Sequence, residues 1–310
     1  MITIFKNKMG VLAAVDEVVP NSWIHVVNPQ NGEIARLRDE FGVPESFVAA
    51  ALDPDEKARI DHEQDVLLII LLVPYVYVDP SDVPYDTVPL GIILTNDYLI
   101  TVCRRELSFV GDFGVKTPKN ISTAKRHRLI LQLFYAAAQT YLSYLRQIDA
   151  AVDNVQHKLQ KSLKNNELLE LLRFQKSLTY FRTGLESNGI MMRRLQKTLL
   201  FEIYPEDSEL LEDVLVENAQ ATEMTKISAD ILSQMMDAFA SIISNNLNDV
   251  MKILAVATII LSIPTVLGSL YGMNVLLPGQ DWPFTFALIV LTSLGASAAV
   301  FYYSRRRDWL

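Results

Sequence analysis

The sequence predicts an α+β cytoplasmic domain, followed by very long helices and then by two C-terminal transmembrane helices. Three observations carry this. Runs rich in β-branched and aromatic residues, separated by turn residues, fill the first third of the 310-residue chain. Beyond Ser122 the pattern changes to long helical stretches with few breakers. Two uncharged apolar segments, Ile253 to Gln280 and Trp282 to Ser304, close the chain, and each is long enough for one crossing of a bilayer core.

In the first third, strand-like runs occur at Ile2 to Phe5, Trp23 to Val27, Val66 to Val78 and Leu90 to Val102. The stretch DPSDVPYDT before the last run is turn chemistry, so the last two runs are expected to form a hairpin. Pro74 favours a bulge or an edge position there. Asn31 to Asp65 reads as helical, with the charged stretch from Leu52 to Asp61 as a helix end and a solvated turn. Ser122 or Thr123 can cap a helix to about Leu163, and Asn165 and Asn166 break it. A second helix from about Glu167 to Phe201 should fold back against the first. Tyr204-Pro205-Glu206-Asp207 then reads as a helix start, with proline in the first turn and acids at the positive end of the dipole. Neither glycine nor proline follows until Pro264, so a helix of roughly 70 residues, on the order of 100 Å, is expected to enter the membrane. These readings divide the chain into 1–121, the cytoplasmic α/β domain; 122–240, the stalk; 241–274, its end with the first span; 275–283, an external link; and 284–310, the second span with a basic tail.

Charge follows the same partition. The whole chain carries −8, and from Met251 onward the charges are Lys252, Asp281, Arg305, Arg306, Arg307 and Asp308, so the preceding residues hold −10. An acidic soluble part argues against a nucleic-acid partner and suits a surface that attracts cations, although ordinary solubility charge accounts for most of these carboxylates equally well. The N-terminal apolar run is too short for a signal peptide. The link from Val275 to Pro283 has no Lys or Arg, whereas Lys252 and Arg305 to Arg307 flank the spans. Both termini are therefore expected in the cytoplasm, with membrane lipid around the spans. Cys103 is alone, which excludes an intrachain disulfide. His25, His62, His127 and His157 are scattered and read as surface or packing residues. No nucleophile and base pairing, no Gly-rich phosphate loop and no cluster of His and Cys suggests an enzyme or an organic cofactor.

The first apolar segment contains a line of small or polar residues. Asp237, Ser241, Ser244, Asn248, Met251, Ala255, Thr258, Ser262, Thr265 and Ser269 are spaced alternately by four and three, which keeps them on one helix face. Neighbouring positions such as Ile253, Ile259, Leu261 and Val266 are apolar. One reading is close helix packing through small residues. The other is a water-filled pathway, favoured by Asn248 and Asp237 on the same line. Two spans cannot enclose a pathway, so that reading requires a cyclic homo-oligomer. Pro264 cannot donate to the carbonyl of Ile260, so the helix should bend there or offer that carbonyl to water.

The stretch Asn245 to Val275 ends in Tyr271-Gly272-Met273-Asn274, between two terminal spans and before a basic tail. In that position it resembles the CorA family of divalent-metal channels. The resemblance implies a funnel-shaped homopentamer that passes Mg2+, and in many members Co2+ or Ni2+, across the plasma membrane, with Mg2+ as both transported and regulatory ion. It implies a selectivity filter at Gly272, Met273 and Asn274, where neutral oxygens bond to the ion's waters without stripping them. It also implies polar pore rings at Thr265 and Asn248, an acidic ring at Asp237, apolar constrictions at Met251 and Leu254, and a cytoplasmic Mg2+ site at Asp213 with Asp53 or Asp55 as partner. Two positions depart from the family pattern. Ser262 stands where many members have a bulky apolar gate, and Leu277-Pro278-Gly279 replaces Met-Pro-Glu, so the first acid is Asp281. GMNV before a variant loop also occurs in ZntB-type zinc transporters. A Zn2+ transporter of the same fold and a membrane-anchored scaffold that conducts nothing are the alternative readings.

Overall fold

The structure, a computed structural model, describes residues 1–8, 11–77, 83–111, 121–161, 165–198, 205–275, 278–279, 282–307 and 309. The described residues form two compact units, Met1–Gln234 and Met235–Leu310.

The first unit is built on a seven-stranded sheet. Its strands are β1 (Ile2–Lys8), β2 (Val11–Val15), β3 (Trp23–Val27), β4 (Arg59–Glu63), β5 (Val66–Val76), β6 (Tyr85–Leu94) and β7 (Leu99–Cys103), in the order β2-β1-β3-β7-β6-β5-β4. Only β3 and β7 pair in parallel. The expected hairpin is β5 with β6, in continuous register from Leu67 opposite Leu94 to Val76 opposite Tyr85, so there is no bulge at Pro74. The β4 ladder ends at Ile70, which makes Pro74 locally an edge position where its missing N–H is tolerated.

Two expectations are corrected. Leu90 to Val102 is two strands, because Thr95-Asn96-Asp97-Tyr98 closes a turn in which Thr95 and Tyr98 exchange hydrogen bonds. The charged stretch after Leu52 supplies β4, since pairing with the apolar β5 outweighs the polarity of Arg59–Glu63.

Both faces of the sheet are covered, and β5 shows why its sequence is continuously apolar. Leu68 and Ile70 point toward α1 (Asn31–Phe41) and α2 (Glu45–Leu52), whose Leu37, Phe47 and Ala51 share their cluster. Gly91 in β6 lets α2 lie close, for a Cβ there would stand 2.4 Å from that of Ala51. Leu67, Ile69, Leu71 and Val73 point the other way, toward the short α3 (Ser108–Gly111), α4 (Arg126–Lys161) and α5 (Asn165–Gln196). Helix α4 begins at Arg126, later than the expected cap, and the Thr123 hydroxyl instead accepts the Asn7 N–H at 3.3 Å. The two helices are antiparallel: Leu129 to Phe134 cluster with Met191 and Leu195, and further along Tyr141 meets Phe181 with ring centres 5.0 Å apart. Asn165 and Asn166 lie inside α5 and do not break a helix as expected.

Helix α6 (Pro205–Tyr271) has 67 residues and begins at the expected proline. Its first turn is tied to α4 by Arg128, whose Nε donates to buried Asp207 at 2.6 Å and whose Nη2 lies 2.7 Å from Glu206. The second unit holds the rest of α6 and α7 (Thr285–Arg306). Both helices are long and apolar enough to cross a membrane.

Candidate ion pathway

All residues of the expected line, from Asp237 through Ser241, Ser244, Asn248, Met251, Leu254, Ala255, Thr258, Ser262 and Thr265 to Ser269, are exposed on α6 in the single chain. Four hydroxyls have fixed directions, the first being Ser241, which donates to the Asp237 carbonyl at 3.0 Å. Thr258 donates to the Leu254 carbonyl at 2.8 Å, Ser262 to Thr258 at 2.7 Å and Thr265 to Leu261 at 2.9 Å. Each proton is turned back into the helix, so each oxygen presents lone pairs sideways. Such a surface suits the water shell of a cation, whose hydrogens point outward.

Helix α7 occupies a different face. The less exposed residues of α6 in its apolar part are Val256, Ile260, Ile263 and Leu267. At about 100° per residue this stripe lies roughly 150° around the helix from the line through Ala255, Thr258, Ser262, Thr265 and Ser269. On α7 the covered positions include Ser293, Ser297 and Ser304, a small-residue seam of the kind that lets membrane helices approach closely. The close-packing role thus falls to the serines of α7 within the chain. The Ser293-to-Ser297 spacing was the sequence signal for it, and the sequence reading passed over it.

Helix α6 passes Pro264 without interruption. The Ile260 carbonyl, which Pro264 cannot serve, accepts the Ser297 hydroxyl at 3.2 Å instead of facing water, one of the two outcomes expected there.

At the end of α6, Gly272 N–H still donates to Gly268 O at 3.0 Å, and Met273 N–H reaches Leu270 O at 3.4 Å. Gly272, Met273 and Asn274 are exposed, and the last turn contains no basic residue. The negative end of the helix dipole therefore meets the motif without a basic side chain in that turn. Asp281 and Leu277 of the link lie outside the described residues; Gly279 takes φ 77°, a left-handed turn that suits glycine.

Of the expected cytoplasmic carboxylates, Asp213 is exposed on α6 between inward-facing Leu211 and Val214. Asp53 and Asp55 are exposed after α2, where an Asp53 oxygen accepts the Asp55 N–H at 3.0 Å. Asp55 borders a cleft of about 300 Å3 that Arg104 and Arg105 also line. Among the described residues, no group of three or more His, Cys, Asp or Glu side chains is placed to hold a metal ion. Burial pushes the Cys103 thiol up to about 12, which keeps it protonated and inert.

The comparisons with known proteins agree with this architecture. The family model described as "CorA-like Mg2+ transporter protein" matches residues 21–306.

The chain belongs to this CorA-like family.

Among its relatives is the cobalt/magnesium transport protein CorA of Methanocaldococcus jannaschii, 25% identical over 293 residues that cover 93% of this chain and 91% of the relative. The complete structure of the CorA magnesium transporter from the same organism matches with a TM-score of 0.85 at 24% identity, covering 100% of this chain and 99% of the other. The ZntB cytoplasmic domain from Vibrio parahaemolyticus matches with a TM-score of 0.60 at 14% identity, covering 78% of this chain and 98% of the other, a likeness of fold alone.

Proposed function

We propose that this CorA-like chain carries Mg2+, and with it Co2+ or Ni2+, through a ring of five copies in the plasma membrane. The observation that carries the reading is the orientation of α6. Its hydroxyl line is left uncovered while α7 seats on the opposite face, so symmetry-related copies can bring their lines together around an axis.

In this reading five Asn274 side chains meet the hydrated ion at the outer mouth, with Gly272 and Met273 supplying backbone oxygens. Converging negative helix ends raise the local cation concentration without a carboxylate that would bind a dication too tightly for release. The lone pairs of Thr265, Ser262 and Thr258 then receive the ion's water shell in succession. Met251 and Leu254 form the apolar constriction below them, and Asn248, Ser244, Ser241 and Asp237 lead to the cytoplasmic end, where both termini lie. A potential of 100 mV supplies on the order of 4.6 kcal/mol for a dication, so no enzymatic energy source is required. Asp213, with Asp53 or Asp55, holds regulatory Mg2+ between subunits; loss of that ion lets acidic neighbours part. The family description and the relatives' names favour Mg2+ over the zinc alternative.

Proteoliposomes loaded with a Mg2+-sensitive dye test the reading. Influx driven by an inside-negative potential is expected, and its absence from correctly inserted pentamers at low internal Mg2+ contradicts it.

A further inference from the structure

The carbonyl of Ile260 stands in the middle of an apolar helix and has lost its helical donor, because residue 264 is proline. Such a group is costly in hydrocarbon unless another donor reaches it. The donor is Ser297 of α7, at 3.2 Å. The neighbouring hydroxyls of α7 behave differently: Thr292 donates to Leu288 at 2.8 Å and Ser293 to Val290 at 2.9 Å, both within their own helix. Ser297 has the same alternative, the carbonyl of Ser293 one turn back, yet its hydroxyl is spent across the helix pair.

We propose that Ser297 replaces the hydrogen-bond donor that Pro264 removes, and that the bond is a cross-helix latch. It seats α7 on the face of α6 opposite the hydroxyl line and so positions the last turns of α6 after Pro264 and the Gly272-Met273-Asn274 stretch that follows them. Ser297 is a positioning residue, since it acts on the pathway only through Ile260. The latch can open without stranding its own hydroxyl, which turns back to Ser293, so its two states differ at a single carbonyl. Its consequence for ion flow rests on the channel reading; the bond itself does not.

The test is a double-mutant cycle on the full chain, with the thermal unfolding midpoint in detergent and Mg2+ influx into proteoliposomes as readouts. Ser297→Ala should lower the midpoint and slow influx roughly three- to twentyfold, the factor an intramembrane hydrogen bond supports. In a Pro264→Ala background, where the restored backbone N–H serves Ile260, the same substitution should change neither readout. Ser297→Thr, which keeps a hydroxyl, should retain most of both in the Pro264 background, and covers the case in which Pro264→Ala does not assemble. Equal losses from Ser297→Ala in both backgrounds would make Ser297 a packing residue and overturn the proposal, as would no loss in either or failure of Ser297→Thr to preserve stability. If the unmodified chain passes no Mg2+, the channel reading fails, while the midpoint cycle still decides the latch.

Discussion

The polar side chains that serve Leu72 in the first unit and those on the hydroxyl line of the second are turned in opposite directions. In the first, polar side chains turn inward to serve backbone atoms that packing has stranded. Where the β4 ladder stops, Asn188 of α5 takes its place at Leu72, donating to its carbonyl at 2.7 Å and accepting its N–H at 2.9 Å, while Tyr141 adds a bond to the same carbonyl at 3.1 Å. Asn188 is 1% exposed. In the second unit Thr258, Ser262 and Thr265 satisfy their own protons within α6 and leave their oxygens outward. The first arrangement builds a rigid body. The second leaves acceptors available to something beyond the chain, and under the proposed function that difference separates residues that hold the fold from residues that meet an ion.

Substitutions on each side should therefore fail differently. The largest effect is expected at the mouth: Asn274→Ala should bring Mg2+ influx down to that of empty liposomes, with the unfolding midpoint unchanged. Asn188→Leu should do the converse. It leaves the buried Leu72 N–H unpaired and its carbonyl with Tyr141 alone, at a cost on the order of 2 kcal/mol, which a denaturation midpoint reads, while flux per folded molecule stays the same. If Asn188→Leu abolished flux without destabilising the protein, the division between the units would not hold.

His25 adds a pH test of the inward-facing side. Trp23 Nε1 donates to Thr101 Oγ1 at 2.9 Å, and His25 Nδ1 lies 2.8 Å from the same buried hydroxyl. Burial, with a smaller contribution from the N-terminal charge, lowers its pKa from 6.5 to about 4. The unfolded chain therefore takes up a proton that the folded chain refuses between these values. Stability should fall as pH drops from 6.5 toward 4, and the fall should be shallower in His25→Gln. A pH-independent midpoint across that window would contradict a buried neutral His25.

Smaller effects are expected along the hydroxyl line. Thr265→Val keeps shape and removes the outward oxygen, so influx should slow several-fold with stability retained; a loss of stability alone would return the line to helix packing. Asp237→Asn should reduce influx about twofold at low salt and by less at high salt, because an exposed charge at that distance is screened. Influx measured at two ionic strengths separates the two cases.

The sequence revealed these regions unequally. The helices were legible because their signals are local: Pro205 with its two acids opens α6, and uncharged apolar length marks the spans. The sheet was half legible. Strands β2 and β4 were missed because VLAAV is short and RIDHE is polar, and each is a strand only through its partner. The turn at Asn96-Asp97 was hidden inside an apolar run. At the candidate site, spacing alone placed the hydroxyl line on one face. Their protons point back to carbonyls of α6 itself, a local bond, whereas which face α7 covers depends on how the two helices pack. The Ser297 bond to Ile260 belongs to the same class, since Pro264 announces an orphaned carbonyl but not its donor.

In the proposed function the uncovered face of α6 lines an ion pathway ending at Asn274. The most direct test of this is Mg2+ influx into dye-loaded proteoliposomes, with the unmodified chain and Asn274→Ala assayed side by side under an inside-negative potential. Rapid influx is expected in the first and background influx in the second, at equal stability. Equal influx in both would contradict the proposed function.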